Sequence, residues 1–341
     1  MRAARVHRWG SAPVLEHVPD PVARDGESLV QVSAAAVSHF DLSVARGEHP
    51  PGPPLPYVPG TDGAGRVLAS AAYEPGTEVR IRGAGVGLRR DGTWAELVAV
   101  PDEALEPIPE GVDPAVAAGF SVPAAAAFTA LEDVGRLQPG ERVAVTGAAG
   151  AVGSIAVQLA RRAGAAAVYG VVSRPSKAAS VPAGATVVVG RGSEIVDLLG
   201  DEGAVDLVVD TVGGSDLAEM LKVVSPGGRI VLVGYTAGRT VTLDLPTLME
   251  RDVSLLPLNL FRRPSRTREA AATVLGLLRD GDLHLPLTRF RLEELASAVE
   301  SLANGETVGR VVLVPAPERR APAVDRFVAA GEPPLSRRRA A

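Results

Sequence analysis

The chain has 341 residues, 46% hydrophobic and 22% charged, with a formal net charge of −5, which is ample material for a core and a length that suggests two domains. The mild acidity, without a basic stripe interleaved with aromatics, argues against a nucleic-acid partner, and the absence of cysteine excludes disulfides and thiolate metal sites. The first twenty residues lack the apolar core of a signal peptide and no apolar run could span a bilayer, so the expectation is a cytoplasmic protein without membrane contact.

Short apolar segments open the chain, at Ser28–Val37, Gly63–Ala69 and Thr77–Arg82, with Gly and Pro between them. That spacing predicts a barrel-like or sandwich-like β domain. The segment between the first two strands, Ser38–Gly65, carries too many prolines for a sheet interior. It reads as a long ordered loop, or a short helix followed by one, of the kind that carries function. Near Pro114 the character changes, and the small-residue stretch Ala115–Val134, which includes Thr129, reads as helical across the domain boundary.

Next comes ERVAVTGAAGAVGSIAVQLARRAG, residues 141–164. Val143, Ala144 and Val145 predict a buried strand, the turn from Thr146 to Gly153 is built of small residues, and Ile155, Leu159 and Ala163 keep a helical period. Gly147, Gly150 and Gly153 recur every third residue, which permits a tight turn, close approach of backbone to a ligand, and a helix lying close on its strand. Bare amides at the helix start, with the helix dipole, form a pyrophosphate site, and Ala148, Ala151 and Val152 belong to the same turn. Further strands are expected at Ala165–Val172, Ala185–Val189, Val205–Asp210 and Arg229–Val233, with helices at Ser193–Leu199 and Ser215–Val224. The alternation indicates a parallel doubly wound sheet. A helix at Arg268–Leu278, a strand at Arg289–Leu292, a helix at Leu295–Leu302 and a strand at Gly309–Val314 follow; their pattern leaves open which domain they join. From Pro315 on, Pro, Ala and charge alternate without an apolar face, so residues 315–341 read as a disordered tail in which Arg337, Arg338 and Arg339 are solvated.

The loop SHFDLSVARGEHP with LPYVPGTDGAGRV, the VPAAAAFTAL segment, LQPGERVAVTGAAGAVGSIAVQLAR, and DTVGG with GGRIVLVG together resemble the medium-chain dehydrogenase/reductase superfamily. The resemblance is to its zinc-independent NADPH:quinone oxidoreductase branch, the zeta-crystallin-like one, and covers nearly the whole chain to Val314. It implies an α/β fold with a GroES-like β-rich domain (1–120), a Rossmann domain binding NADPH (121–256) and a C-terminal segment returning to the first domain (257–314). It also implies a homodimer. Zinc-dependent relatives use a Cys and a His-Glu pair where this chain has Ser38 and Thr61-Asp62, and Ser and Thr are not useful zinc ligands. No metal is therefore expected, and His39 and His49 read as surface or substrate contacts.

The cofactor residues expected are Thr129, Gly147, Ala148, Gly150, Ala151, Val152, Gly153, Val212 and Gly234, with Ser173, Arg174 and Lys177 after the second strand. An NAD site usually has an acid there; a hydroxyl and two cations suit the 2′-phosphate of NADPH. Arg191 stands where many relatives have a tyrosine. For a quinone or enone substrate, the candidates to meet developing oxyanion charge are Tyr57, Ser38 and His49, the last two replacing an asparagine and a tyrosine of the branch. An enoyl-thioester reductase, or a non-catalytic NADPH-binding protein, are the alternatives.

Overall fold

The computed structural model describes residues 1–50, 52–202 and 205–315. Strands β1 (Arg2–Arg5) and β2 (Val14–His17) pair antiparallel. β3 (Glu27–Val37) is the long central strand of the first half. The proline-rich segment takes the second of its two expected forms, a short helix α1 (His39–Ala45) followed by a loop that ends in β4 (Asp62–Ala69). Then come β5 (Glu78–Arg82), β6 (Leu97–Pro101) and β7 (Leu105–Pro107).

The expected helical stretch is helical but broken at Phe120 into α2 (Pro114–Gly119) and α3 (Ser121–Thr129), and a π turn over Ala130–Val134 closes it. Its run Ala124–Ala127 is almost completely buried, because small side chains let α3 lie close against its neighbours.

The second half holds β8 (Arg142–Thr146), α4 (Ala151–Arg162), β9 (Ala167–Val172), β10 (Thr186–Val189), α5 (Ser193–Glu202), β11 (Val205–Asp210), α6 (Ser215–Val223), β12 (Val224–Leu232), α7 (Leu245–Glu250) and β13 (Ser254–Pro257). The sheet order is β10-β9-β8-β11-β12-β13, every pair parallel, which is the doubly wound order with its reversal between β8 and β11. The sixth strand, β13, escapes the sequence reading because it is short and only half-buried. β12 begins five residues earlier than expected, directly where α6 ends, with Pro226 and Gly227 inside it.

Finally α8 (Pro264–Arg279) leads to β14 (Leu287–Arg291), α9 (Leu295–Ala303) and β15 (Arg310–Val314). β15 pairs antiparallel with β3 and parallel with β14, giving a sheet ordered β14-β15-β3-β4-β5-β7 with β6 also on β3. The topology answers what periodicity left open: the last strands complete the first sheet. The disordered-tail reading falls, beyond Pro315, outside the described residues. The architecture is a Rossmann-type parallel sheet beside a separate β-rich domain.

Candidate active site

β8 ends at Thr146, and its chain turns through Gly147, Ala148, Ala149 and Gly150 into α4. Gly147 has φ +65°, and a Cβ there would stand 2.5 Å from Thr211 Oγ1. A Cβ on Gly153 would stand 2.2 Å from the carbonyl oxygen of Gly147, so helix and turn touch backbone to backbone. Gly150 caps α4 without a side-chain hydrogen bond, leaving the first amides for a ligand. Val212 packs on the turn: its Cγ2 would be 3.0 Å from a Cβ on Gly147. Thr129 is fully buried, yet its Oγ1 has no hydrogen-bond partner, and a buried hydroxyl is rarely left so. Backbone cradle, bare helix start and orphaned hydroxyl together fit a dinucleotide.

The turn is fastened at the sheet's point of reversal. Asp210, at the end of β11, accepts from Thr146 Oγ1 at 2.6 Å and from the amides of Val212 and Gly213 at 3.1–3.2 Å. Thr211 returns its hydroxyl to the Thr146 carbonyl at 2.7 Å. Burial holds the Asp210 carboxyl above the usual carboxylate range, partly offset by these donors. The sequence reading did not single out Asp210, although it opens the DTVGG stretch. Gly234 follows β12 beside Thr211: a Cβ on it would meet the Thr211 carbonyl at 2.3 Å.

At the end of β9, Ser173, Arg174 and Lys177 are partly buried. Burial lowers the Lys177 ammonium's pKa, and repulsion from Arg174 and Arg191 lowers it further, with Glu306 opposing. Three cations crowd here, and Arg174 rests on the carbonyl of Asn304 at 3.1 Å. The C-terminal return also touches the glycine turn, through Gly309 N to Ala149 O at 2.7 Å.

The proline-rich loop reaches the second half through the Glu48–Arg239 ion pair. Ser38 caps α1, accepting from the Asp41 amide at 3.1 Å while donating its hydroxyl to the Asp41 carboxylate. Asp41 is buried and also accepts from the Thr61 amide at 2.9 Å and the Thr61 hydroxyl at 2.8 Å. Burial raises its pKa, with Ser38 opposing. Asp62 pairs with Arg82 at 2.6 Å and, more distantly, with buried Arg310 at 3.9 Å. The Arg310 Nε is buried without a partner, and burial depresses that guanidinium's pKa. The positions corresponding to zinc ligands are thus joined in a hydrogen-bonded ionic cluster. Among the described residues no group of three His, Cys, Asp or Glu could hold a metal ion. Asp41 was legible as the acid three residues after a Ser, a capping pattern; Arg310 was not, since it arrives from the far end of the chain.

The three donor candidates fare differently. Ser38's proton is committed to Asp41. The Tyr57 ring is 1% exposed, packed 5.5 Å from Trp9, and its hydroxyl has no partner; burial and then Asp41 raise its pKa. His49 is half-exposed, its ring 4.9 Å from that of Phe40, which in turn lies 6.0 Å from Phe261. His39 is exposed on the first turn of α1. Glu48 and Arg239 form an ion pair from the two halves, and Arg239 also covers the Tyr235 ring. The Phe40–Phe261 and Glu48–Arg239 contacts therefore bring His49 to the seam, whereas Tyr57 stays in the packed interior of the first half. A cavity of about 250 Å³ lined by Arg24, Arg90 and Asp91 lies in the first half and shares no residue with this site.

Residues 24–110 match the alcohol dehydrogenase GroES-like domain family and residues 151–276 the zinc-binding dehydrogenase family. The chain is 30% identical over 339 residues to the human synaptic vesicle membrane protein VAT-1 homolog, covering 91% of this chain and 83% of that one. It is 30% identical over 301 residues to a phenolphthiocerol/phthiocerol polyketide synthase chain of Mycobacterium tuberculosis, covering 83% of this chain and 13% of that longer one. The solved quinone oxidoreductase of Thermus thermophilus, determined also in complex with NADPH, has 30% identity and a TM-score of 0.74, covering 92% of this chain and 100% of that one. The chain therefore belongs to the medium-chain dehydrogenase/reductase superfamily, in its quinone oxidoreductase branch, and is an oxidoreductase of a family that uses a nicotinamide cofactor.

Proposed function

We propose that the protein reduces quinones or α,β-unsaturated carbonyls with NADPH and without zinc. NADPH supplies a hydride when bound. Thr129, Val212, Gly234 and the turn Gly147–Gly153, with Ala148, Ala151 and Val152, would hold its nicotinamide and pyrophosphate portions, and Ser173, Arg174 and Lys177 its 2′-phosphate. The mutual repulsion of Arg174, Lys177 and Arg191 supports the phosphate reading, because a dianion among three cations relieves it.

The observation that carries the reaction class is the state of Ser38, Thr61 and Asp62. Each is engaged by Asp41 or Arg82, so none is free to hold a metal that would acidify an alcohol. A conjugated carbonyl has no such need: charge spreads to its oxygen, where His49 at the seam or water can meet it, Ser38's proton being committed to Asp41 and Tyr57 lying in the packed interior. The match to a stretch of a polyketide synthase favours one second reading, in which the double bond belongs to an acyl thioester.

The same reading takes 1–120, 121–256 and 257–314 as the domain limits. It puts the protein in the cytoplasm, consistent with the finding that no described helix is long and apolar enough to cross a membrane, and takes it as a homodimer joined through sheet edges of the nucleotide domains. A screen of NADPH oxidation against quinones, enones and enoyl thioesters, run with and without chelator, tests the proposal. Expected is turnover of the first two classes, unchanged by chelator. Oxidation of a simple secondary alcohol with NADP+ at a comparable rate, or one tightly held zinc per chain, would overturn it, and NADPH binding with no turnover would favour the non-catalytic alternative.

A further inference from the structure

Ser43 lies on α1, 7% exposed, with its Oγ 2.8 Å from the carbonyl oxygen of Phe40 and 2.8 Å from Nε2 of His49. A carbonyl only accepts, and a hydroxyl has one proton to give. Were that proton turned to His49, the Ser43 and Phe40 oxygens would face each other as two acceptors at hydrogen-bond distance. The one assignment that satisfies both contacts has Ser43 donating to Phe40 and accepting Nε2–H from His49. Neutral His49 is then the Nε2–H tautomer, and its Nδ1 carries a lone pair.

The ring is held at the seam of the two halves. Phe40 packs on it and lies 6.0 Å, ring centre to ring centre, from Phe261, which follows β13, while the adjacent Glu48 pairs with Arg239 of the second half. The Arg239 loop is bonded, through Ala237 N to Val212 O at 2.9 Å, to the turn that packs on Gly147. The charged groups around His49 are Glu48 and Arg46 on its own loop and Arg239 across the seam, with Glu48 paired to both arginines.

We propose that His49 is the proton donor of the reaction and that Ser43 is its positioning residue, with Nδ1 presented to the acceptor's oxygen. The proposal rests on the reading that a conjugated carbonyl is reduced. As the remote carbon gains hydride, the C=C pair becomes a double bond between the α-carbon and the carbonyl carbon and the carbonyl π pair moves to oxygen as an enolate. The Nδ1–H bond of the imidazolium breaks and an O–H bond forms; the enol then takes a solvent proton at the α-carbon and releases its O–H proton, and the neutral imidazole is recharged by solvent at its half-exposed ring. Because Nε2–H stays on Ser43, neutral His49 has no proton to give at Nδ1, so turnover requires the imidazolium and is favoured by acid.

The first test is the tautomer itself, read by nitrogen-15 NMR of the imidazole in the free protein at alkaline pH and assigned with His49→Gln. Expected is Nε2–H in the wild type and in Ser43→Thr, and a mixture in Ser43→Ala; Nδ1–H in the wild type would overturn the positioning role. The second is kcat against pH with an enone. His49→Gln should lose the acidic rise and roughly a hundredfold in kcat with the KM for NADPH unchanged, and Ser43→Ala a smaller factor that Ser43→Thr restores. Superimposable profiles of wild type and His49→Gln would overturn the proposal. If no conjugated acceptor is turned over, the proposed function falls by itself. The inference is then judged by 4-nitrophenolate, standing in for the enolate, bound to the NADP+ complex. Binding should tighten as pH falls in the wild type and not in His49→Gln, and equal pH dependence in the two would overturn it.

Discussion

The glycine turn and the proline-rich loop are linked through the Ala237–Val212 and Glu48–Arg239 contacts but are built on opposite principles. The turn presents backbone: Gly147 and Gly150 leave it partly exposed, Gly153 lets α4 lie against it, and its buried carboxyl, Asp210, serves only to pin the turn. The loop presents side chains and keeps them in register with buried charge, Asp41 gathering Ser38 and Thr61 while Asp62 pairs with Arg82 and Arg310. A site for a fixed ligand can be made of backbone, whose geometry tolerates little change. A site for a variable acceptor is made of side chains, which can be exchanged while the fold stays.

That contrast breaks most visibly at Gly153. Its added Cβ would meet the Gly147 carbonyl at 2.2 Å, and backbone cannot give way cheaply, so Gly153→Val should weaken NADPH binding by roughly a hundredfold or more. Titration calorimetry on folded variant protein checks it; unchanged affinity would mean the turn is not the cradle.

Next in size is cofactor choice. Replacing Arg174 and Lys177 together by Ala should raise the KM for NADPH by about ten- to a hundredfold and leave that for NADH within about twofold, since only the phosphate loses charge-assisted bonds. Equal effects on both cofactors would assign the cations to a plain surface turn.

In the loop, Asp41→Asn leaves donors from Ser38 and Thr61 mismatched and should destabilise the protein by about 1–3 kcal/mol. The pH dependence of that loss has a definite sign. Burial raises the Asp41 pKa in the folded protein, so the fold binds that proton more tightly than the unfolded chain does. The stability this contributes is present below the unfolded value and is lost as pH rises through the folded one. The gap in Tm between wild type and variant should therefore be widest in acid and narrow towards neutrality. A gap that widens with pH would mean that the four donors, the amides and hydroxyls of Ser38 and Thr61, outweigh burial.

The smallest effect is expected at Tyr57. Its hydroxyl is buried without a partner, so Tyr57→Phe should leave Tm unchanged or slightly raised and slow turnover by less than about tenfold. A drop beyond that in kcat, at unchanged Tm, would make Tyr57 the donor in place of His49.

Sequence by itself determined the parts whose information is local. The strand-turn-helix around Gly147–Gly153, the alternation that gives a parallel sheet, and the basic turn at Arg174 and Lys177 are each written within a few residues, because hydrophobic period and glycine geometry act over one element. The Ser38–Asp41 cap had a local signal too, a Ser with an acid three residues on, which the sequence reading passed over. Tertiary structure decided what depends on distant partners. β1, β2 and β13 are only four residues each, too short to announce themselves, and only pairing makes them strands. Only the completed sheet brings β15 to β3, and with it Arg310 to Asp62, from opposite ends of the chain. The functional ranking of Tyr57, Ser38 and His49 was likewise invisible in sequence, since a hydroxyl's availability depends on what else it bonds: Asp41 holds one, burial isolates another, and Ser43 fixes the ring that remains at the seam.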